Sequence, residues 1–428
     1  MHLEFPQGFL LGVSSASAQI EGGEVGSSWN DWYHQGKIKD GSDPAAADDH
    51  WNRWREDCEL MAKLRLPAAR LGVEWARIMP ERGCPDEAAI AHYRAELQYM
   101  KELGIRPLLT LHHFSNPMWF ERAGGFAKQE NLGDFMDFAR LCAERFGDLV
   151  SDWITINEPN VYATNGFFYG SWPPGHKSFS ETFAVLENMA WCHIRCYSLL
   201  HEIRRNMGFT DTMVGFANHL RVFEPENPKN PVHAAAAKAS EYLFQSVITE
   251  AMSTGVFRWP LHNRRRLPKG EYCDFHGVNY YTRSTVRGLA DGVRKISPRN
   301  DLGWEIYPEG LVRCAGKLEK LFPRPIWVTE NGTCDNRDTF RARYIYEHLE
   351  AIVKSGLPFT RYYHWCFCDN FEWLEGESAR FGLVHVDYST QARTVKRSGE
   401  FYADMIENGG VTDSAYESYV KGDAYRIE

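Results

Sequence analysis

No stretch of this sequence is long and apolar enough to span a bilayer, and its opening residues, "MHLEFPQGF", lack the charged leader and apolar core of a signal peptide. These two absences predict a cytoplasmic protein that does not act at a membrane. A long basic face is missing as well, since the formal net charge is −9 and the one basic cluster, "HNRRRLPKG", lies among turn-forming residues. Nucleic acid is therefore not expected as a main partner.

Paired cysteines are also missing. The 10 cysteines are scattered without any CxxC spacing, which in so long a chain predicts reduced, mostly buried thiols. His364, Cys366 and Cys368 are predicted to share one face of a strand, yet no second cluster is evident that would complete a metal site. The cysteine pattern therefore favours neither a disulfide framework nor a bound metal.

A glycine-rich phosphate turn, linkers and tandem repeats are absent too, which disfavours a doubly wound nucleotide-binding sheet. Instead, eight β-rich runs alternate with amphipathic helical stretches from one end to the other. Eight such units predict an α/β fold: a (β/α)8 TIM barrel whose active site lies at the C-terminal ends of the strands. The whole chain, residues 1–428, is expected to be one domain, with 221–273 as an excursion from the barrel. The predicted strands are 9–15, 68–75, 106–114, 152–159, 212–220, 275–281, 325–332 and 361–367.

Two glutamates stand at the ends of predicted strands. Glu158 ends the fourth strand in "WITINEPN", and Glu330 ends the seventh in "PIWVTENG". Barrel closure would bring both to one mouth, where paired carboxylates are the groups that cleave a glycosidic bond. An isolated strand-end glutamate is at least as often a helix cap or part of an exposed ion pair. Two of them at matching positions favour catalysis.

Asn157 and Glu158 are neighbours, and neighbouring side chains on a regular strand point to opposite faces. They can serve one ligand only if the pleat breaks there, and Pro159 marks the departure. The composition is compatible with a sugar ligand, because the 14 Trp and 20 Tyr include many beside polar groups near strand ends.

Seven motifs in register resemble those of the family 1 glycoside hydrolases, the retaining β-glucosidases and their relatives, over about residues 5 to 405. They are "FLLGVSSASAQIEG", "TLHHFSNPMW", "WITINEP", "DFHGVNYYT", "LGWEIYPEGL", "VTENG" and "DNFEWLEGESARFGL". The resemblance implies that Glu158 is the general acid/base and Glu330 the nucleophile. Retention would then require the two carboxyl groups to lie about 5 to 5.5 Å apart.

The same resemblance implies roles for the surrounding residues. Gln19, His113, Asn157, Glu372 and Trp373 would hold the non-reducing sugar, and Tyr281 would hydrogen bond to the nucleophile, with Asn279 and Arg70 in support. Trp365 would form the floor of the sugar site, Phe381 would close its edge, and Trp304 would line the leaving-group side. Each role has a structural alternative. His113 could be a core histidine, Trp365 and Trp373 could be core residues, and Arg70 could form a structural ion pair. A cis peptide bond is expected at Trp365-Cys366.

Substrate choice is partly indicated. Relatives that act on phosphorylated glucosides carry a small hydroxyl residue where Glu372 stands, and a glutamate would repel phosphate, so an unphosphorylated glycone is expected. Several positions depart from the family pattern, namely Phe114 for Trp, Ala18 for an aromatic residue, Leu11 for Trp, Gly72 for Ser, Glu377 for Tyr and Cys366 for Ser. Phe114 in particular leaves glucose, galactose and fucose all open.

The leading hypothesis is therefore an exo-acting retaining β-glucosidase on small glucosides or oligosaccharides, which needs no metal or organic cofactor. A β-galactosidase or β-fucosidase, an enzyme in which transfer to an acceptor outcompetes hydrolysis, and a non-catalytic sugar-binding protein are the alternatives. The last is disfavoured because both glutamates are present. The sequence leaves open whether the protein acts as a monomer or a homo-oligomer.

Overall fold

Eight parallel strands form a closed barrel in the computed structural model, which describes residues 1–288 and 290–427. We number them β1 to β8 in chain order. They are Leu10–Ser14 (β1), Ala68–Gly72 (β2), Arg106–His112 (β3), Asp152–Asn157 (β4), Met213–Pro225 (β5), His276–Arg287 (β6), Ile326–Asn331 (β7) and Phe359–Trp365 (β8). Each strand pairs in parallel with the next, and β8 pairs with β1 to close the barrel. The predicted fold class is confirmed, and each of the eight predicted strands is present, although several end at other residues than predicted.

Helices surround the barrel. The α-helices that contain at least seven residues are Ser28–His34, His50–Lys63, Glu87–Glu102, Leu132–Phe146, Phe179–Asn206, Pro231–Glu241, Val247–Thr254, Glu309–Glu319, Arg341–Ser355 and Arg397–Asn408. The shorter ones are Ser17–Ile20, Trp75–Ile78, Met118–Arg122, Pro159–Ala163 and Asp413–Ala415. No helix within the described residues combines the length and the apolar character needed to cross a bilayer.

Short strands outside the barrel pair with one another or with its edges. Leu3–Glu4 pairs with Gly410–Val411, Val384–Asp387 with Ala392–Val395, Pro298–Arg299 with Arg426–Ile427, and Ala290–Gly292 with the distal part of β6, all antiparallel. β5 and β6 are much longer than the predicted runs, at 13 and 12 residues, and stay paired as far as Pro225 and Val286. Part of the predicted excursion at 221–273 is therefore strand.

The N-terminal end of the barrel is filled by large side chains. Phe275 and Trp327 stack with their ring centroids 3.6 Å apart, and the Arg361 guanidinium lies 3.6 Å from the Trp327 ring centroid. Gly215 makes room for this plug, because a Cβ at that position would lie 2.7 Å from the Phe275 ring. With one end packed in this way, a ligand must enter at the C-terminal ends of the strands.

β8 ends at Trp365, so the predicted strand face shared by His364, Cys366 and Cys368 does not exist. The peptide between Trp365 and Cys366 is cis, as predicted. Cys366 donates its thiol to the carbonyl of Cys368 instead of pointing along a strand with it. The prediction of a regular strand through these residues was wrong, because the chain turns immediately after Trp365.

Candidate active site

Glu158 lies immediately after the last residue of β4, in the left-handed backbone conformation, with φ 40° and ψ 61°. Such a conformation is costly for a residue with a side chain and is found mostly at functional sites. The predicted break in the pleat is therefore confirmed, but it occurs at Glu158 itself, and Pro159 begins the following helix. As a result Asn157 and Glu158 face the same cavity, where the Asn279 amide donates to Oδ1 of the first at 3.0 Å and to Oε1 of the second at 2.8 Å.

Glu330 is the fifth residue of β7, next to an irregular register against β6. The Tyr281 hydroxyl donates to Glu330 Oε2 at 2.6 Å, and the Arg70 guanidinium donates to Oε1 at 2.5 Å. Both contacts agree with the sequence-based interpretation. Gly332 permits this arrangement, because a Cβ there would collide with the carbonyl oxygen of Trp365, only 1.8 Å away.

Arg70 links several strands behind the cavity. Besides Glu330, its guanidinium donates to Thr110 Oγ1 at 3.0 Å, to the Thr329 carbonyl at 3.2 Å and to Asn157 Oδ1 at 2.7 Å. The side chain is only 1% exposed. The alternative of a surface ion pair is excluded, since this arginine is buried and ties β2, β3, β4 and β7 together at their C-terminal ends.

The ionisation of Glu330 reflects two opposing influences. Burial raises the pKa of Glu330 to about 7, the Arg70 cation opposes that rise, and the negative charge of Glu158 adds to it. Burial and the neighbouring Glu330 also raise the pKa of the Tyr281 phenol well above its ordinary value. Tyr281 therefore remains a hydrogen-bond donor to Glu330 throughout the neutral range.

The two neighbouring histidines have different surroundings. His113 accepts a hydrogen bond at Nε2 from the Asn157 amide at 3.0 Å, and this nitrogen lies 3.9 Å from Glu330 Oε1. Burial together with the Arg70 cation lowers the pKa of His113 well below its ordinary value, so it is neutral. His112 instead contacts the Asn116 side chain at 3.0 Å. Of the pair, His113 is the one in the cavity.

A second group of predicted residues surrounds Glu372. Gln19 donates to Glu372 Oε2 at 3.3 Å, and the Trp365 indole donates to the same oxygen at 3.4 Å. The His113 ring lies 5.9 Å from that of Trp365 and 5.8 Å from that of Trp373. Burial raises the pKa of Glu372 to about 8, and the negative charge of Glu330 contributes. The buried Oε1 of Gln19 has no hydrogen-bond partner and is free to bind a ligand.

Aromatic rings continue the wall on the other side. Trp304 lies 5.9 Å from the Tyr281 ring and 5.9 Å from Phe381, and Tyr281 meets Phe381 edge to face at 6.4 Å. Phe114, where a tryptophan was noted as missing, contacts Trp373 at 5.3 Å and Trp172 at 4.9 Å. All thirteen residues singled out from the sequence thus belong to one connected set of contacts.

Three residues near the site were missed. His219 and Arg221 follow Asn218 on β5, and His219 Nδ1 lies 3.2 Å from Glu158 Oε1. Trp172 lies in the loop after β4, 5.9 Å from Trp373. His219 is the penultimate residue of the predicted strand 212–220, so the rule that reactive groups gather at strand ends could have selected it. Trp172 carried no signal besides an aromatic ring beside prolines.

Chemically, the cavity combines two buried carboxyl groups in unlike surroundings with a cluster of aromatic rings and amides. Glu330 is held by a cation and a phenol, whereas Glu158 is held by an amide and an imidazole. Such inequality allows one carboxyl group to attack while the other transfers a proton. Within the described residues, no group of three or more His, Cys, Asp or Glu side chains is arranged to hold a metal ion.

The model of glycosyl hydrolase family 1 matches residues 1–411. The chain belongs to this family. Beta-glucosidase A of Thermotoga maritima is 33% identical, over 96% of this chain and 99% of that protein. The family 1 chain is thus a glycoside hydrolase of the retaining type, as the motifs implied.

Solved structures agree with this assignment. A beta-glycosidase from Pyrococcus horikoshii superposes with a TM-score of 0.89 at 33% identity, covering 97% of this chain and 98% of that one. Beta-glucosidase from Thermotoga maritima in complex with deoxynojirimycin gives a TM-score of 0.87 at 32% identity, with 96% and 100% covered. Family 1 architecture therefore extends over nearly the entire chain.

Proposed function

We propose that this family 1 hydrolase is an exo-acting β-glucosidase that removes terminal β-D-glucosyl residues from small glucosides or short oligosaccharides. The observation that carries the proposal is the convergence of Glu158 and Glu330 on one cavity, where Asn279 and Arg70 hold them in unlike surroundings. The proposal is supported by the relatives from Thermotoga maritima and Pyrococcus horikoshii, which are a beta-glucosidase and a beta-glycosidase.

In the first step, the ionised carboxylate of Glu330 attacks the anomeric carbon. The bond from that carbon to the leaving oxygen breaks, and the oxygen takes a proton from Glu158. In the second step, Glu158 removes a proton from water, whose oxygen attacks the same carbon and releases Glu330. Two inversions give net retention. Arg70 and Tyr281 keep Glu330 oriented through both steps, since each contacts a different carboxyl oxygen.

The glycone is assigned to the side of the cavity that holds Glu372. Gln19, His113, Asn157 and Glu372 would bind its hydroxyl groups, with Trp365 as the floor, while Trp373 and Phe381 border it. No side chain of Lys or Arg contacts Glu372 in the described residues, so no cation lies beside this carboxyl that would neutralise a phosphate there. This environment favours a neutral sugar. Trp304 and Tyr281 are assigned to the leaving-group side.

The proposal is tested by a panel of aryl β-glycosides with glucose, galactose and fucose as glycones. We expect the largest kcat/KM for the glucoside and β-glucose as the first product observed by NMR. Release of α-glucose first would contradict retention, and preference for galactoside would reassign the glycone. Product analysis at high acceptor concentration measures the share of glycosyl transfer.

Activity should depend on the ionisation of Glu330. Because burial raises its pKa to about 7, this carboxyl is protonated at pH values where an exposed glutamate, of pKa 4.5, is ionised. The ionised fraction grows with rising pH, so kcat/KM should fall as the pH decreases through about 7. The measurement is kcat/KM against pH for an aryl glucoside. An acidic limb centred near 4.5 would contradict the environment described for Glu330.

Glu372→Gln should lower activity and should also change how the stability of the folded protein depends on pH. Loss of the carboxyl group should lower kcat/KM for glucoside at neutral pH by about 2- to 10-fold, because this carboxyl is mostly protonated there and a neutral hydrogen bond is worth roughly 0.5 to 1.5 kcal/mol. The buried carboxyl also destabilises the folded protein once it ionises. Its pKa is raised from 4.5 to about 8, so the stabilisation that is fully present below about 4.5 is lost as the pH rises to about 8.

Thermal unfolding of Glu372→Gln and the parent protein at about pH 6 and about pH 9 measures this second effect. The Tm of the parent protein should fall further than that of the variant between the lower and the higher pH. Glu144→Ala, at an exposed position of Leu132–Phe146, serves as the control that should match the parent protein. Equal pH dependence in parent and Glu372→Gln would contradict the buried-carboxyl account.

Location and assembly complete the proposal. We assign the protein to the cytoplasm because all ten cysteines are free thiols, nine of them buried, as expected in a reducing compartment. The single domain over 1–428 remains a prediction, as does the monomeric or homo-oligomeric state, and size-exclusion chromatography with light scattering measures the latter.

A further inference from the structure

Glu158 uses its two carboxyl oxygens differently. Oε1 accepts hydrogen bonds from the Asn279 amide at 2.8 Å and from His219 at 3.2 Å. The orientation of Asn279 is fixed, since its own Oδ1 accepts from the Thr329 hydroxyl at 2.6 Å. Within the described chain no side chain binds Oε2. An oxygen with two donors directed at it is a poor site for a proton, so the transferable proton belongs on Oε2.

The tautomer of His219 follows from Arg221. The Nη2 and Nε groups of Arg221 lie 3.0 and 3.3 Å from Nε2 of His219. Arginine only donates hydrogen bonds, so Nε2 must be the unprotonated, accepting nitrogen. The proton of a neutral imidazole is then on Nδ1, which faces Glu158. Burial lowers the pKa of His219, which keeps the ring neutral although Glu158 opposes the effect.

Arg221 is itself held from several sides. Its backbone amide donates to the Gln245 side chain at 3.0 Å, and the Gln245 amide donates back to the Arg221 carbonyl at 3.0 Å. Its guanidinium also contacts Ser284 at 3.3 Å and lies 5.1 Å from the Phe244 ring centroid. The cation therefore has a defined position two residues beyond His219, on the same side of β5.

His219 is fixed by its ring as well as by its nitrogens. The imidazole stacks on Tyr281 with ring centroids 5.8 Å apart and an interplanar angle of 18°, and the side chain is 9% exposed. Tyr281 in turn donates to Glu330. The imidazole thus stacks on Tyr281, which binds Glu330, while it donates to Glu158.

We propose that His219, held as its Nδ1–H tautomer by Arg221, is a positioning residue that anchors Oε1 of Glu158 and thereby directs Oε2 at the leaving oxygen; the inference rests on the acid/base role proposed for Glu158. In the first step the proton on Oε2 passes to the leaving oxygen as its bond to the anomeric carbon breaks. In the second, Oε2 takes a proton from water. The anchor serves both steps, because Oε1 remains an acceptor throughout.

The test compares two leaving groups. Alkyl glucosides need protonation of the departing oxygen, whereas dinitrophenyl glucoside leaves without it. His219→Leu, which removes the donor, should lower kcat/KM for an alkyl glucoside by about 10- to 100-fold and change that for the dinitrophenyl substrate by less than about threefold. His219→Asn, which restores an N–H near the position of Nδ1, should recover most of the loss. His262→Leu, at an exposed histidine, is the matched control.

Equal losses on both substrates, or none on either, would overturn the proposal. If thermal unfolding shows that His219→Leu does not fold, Arg221→Met is the deciding variant. It removes the donor that fixes the tautomer of His219 and keeps the imidazole itself. It should show the same selective loss at about 3- to 10-fold. The outcomes also separate this inference from the proposed function. A parent enzyme without glucosidase activity contradicts the function, whereas an active parent with unselective variants contradicts only the role of His219.

Discussion

Replacement of Glu330 by alanine should abolish hydrolysis, lowering kcat on the order of 10⁵-fold, as removal of a covalent nucleophile does elsewhere. The contacts explain why no neighbour can substitute. Arg70 and Tyr281 bind the Glu330 carboxylate as hydrogen-bond donors. Arginine has no electron pair to offer, and the phenol of Tyr281 stays protonated because burial raises its pKa well above the ordinary value. Removal of the carboxylate also leaves the buried Arg70 cation without its charged partner, so thermal unfolding of the variant must be measured alongside its activity.

Azide makes this result specific. In Glu330→Ala the small anion can occupy the space of the lost carboxylate, attack from the same side and give a glycosyl azide of inverted configuration. The measurement is the anomeric configuration of the product by NMR, with an activated aryl glucoside as substrate. Glu144→Ala, at an exposed helix position, should behave as the parent enzyme. A Glu330→Ala enzyme that still turns over to a retained product would refute the assignment.

Glu158→Ala should have an effect that depends on the leaving group. For alkyl glucosides we expect a loss of about 10³- to 10⁴-fold in kcat/KM, because the departing oxygen must leave as an anion. For dinitrophenyl glucoside the first step should be nearly unaffected. The second step then becomes slow, since no base activates the water, and a rapid burst of dinitrophenol should precede a slow steady state.

Azide distinguishes the two glutamates. In Glu158→Ala it should attack the glycosyl-enzyme without needing a base, accelerate turnover and give an azide of retained configuration, opposite to the product of Glu330→Ala. The burst, measured by stopped-flow absorbance, and the product configuration, measured by NMR, together test the roles. Matching configurations in the two variants would mean that the roles of acid/base and nucleophile are wrongly distributed.

The barrel and the two glutamates could be predicted from the sequence because both depend on the local pattern of apolar and polar residues. Each predicted strand is a short apolar run, and Glu158 and Glu330 each stand directly where such a run ends. The left-handed backbone of Glu158 was predicted only as a break in the pleat. Pro159 was the signal for that break, which in the structure lies one residue earlier.

Other features depend on contacts between distant strands, which no local pattern encodes. Arg70 was predicted beside Glu330 from the family resemblance, but its bonds to Thr110 and Asn157 emerge only from barrel closure. His219 was missed although the fifth strand was predicted to end at 220, because its contact with Glu158 depends on the pairing of β5 with β4 and β6. The strand face predicted through Cys368 failed because β8 stops at Trp365.

The length of β5 limits how this enzyme can diversify. Loops tolerate insertions. An enzyme whose leaving-group site is formed by loops can therefore lengthen or shorten those loops. Here His219 lies on a paired stretch of β5, opposite Asn279, where one residue added before it would turn its side chain to the opposite face. Mutational libraries that seek new acceptors should therefore substitute residues on this strand and keep its length, because a deletion or insertion upstream of His219 would also withdraw the group that holds Glu158.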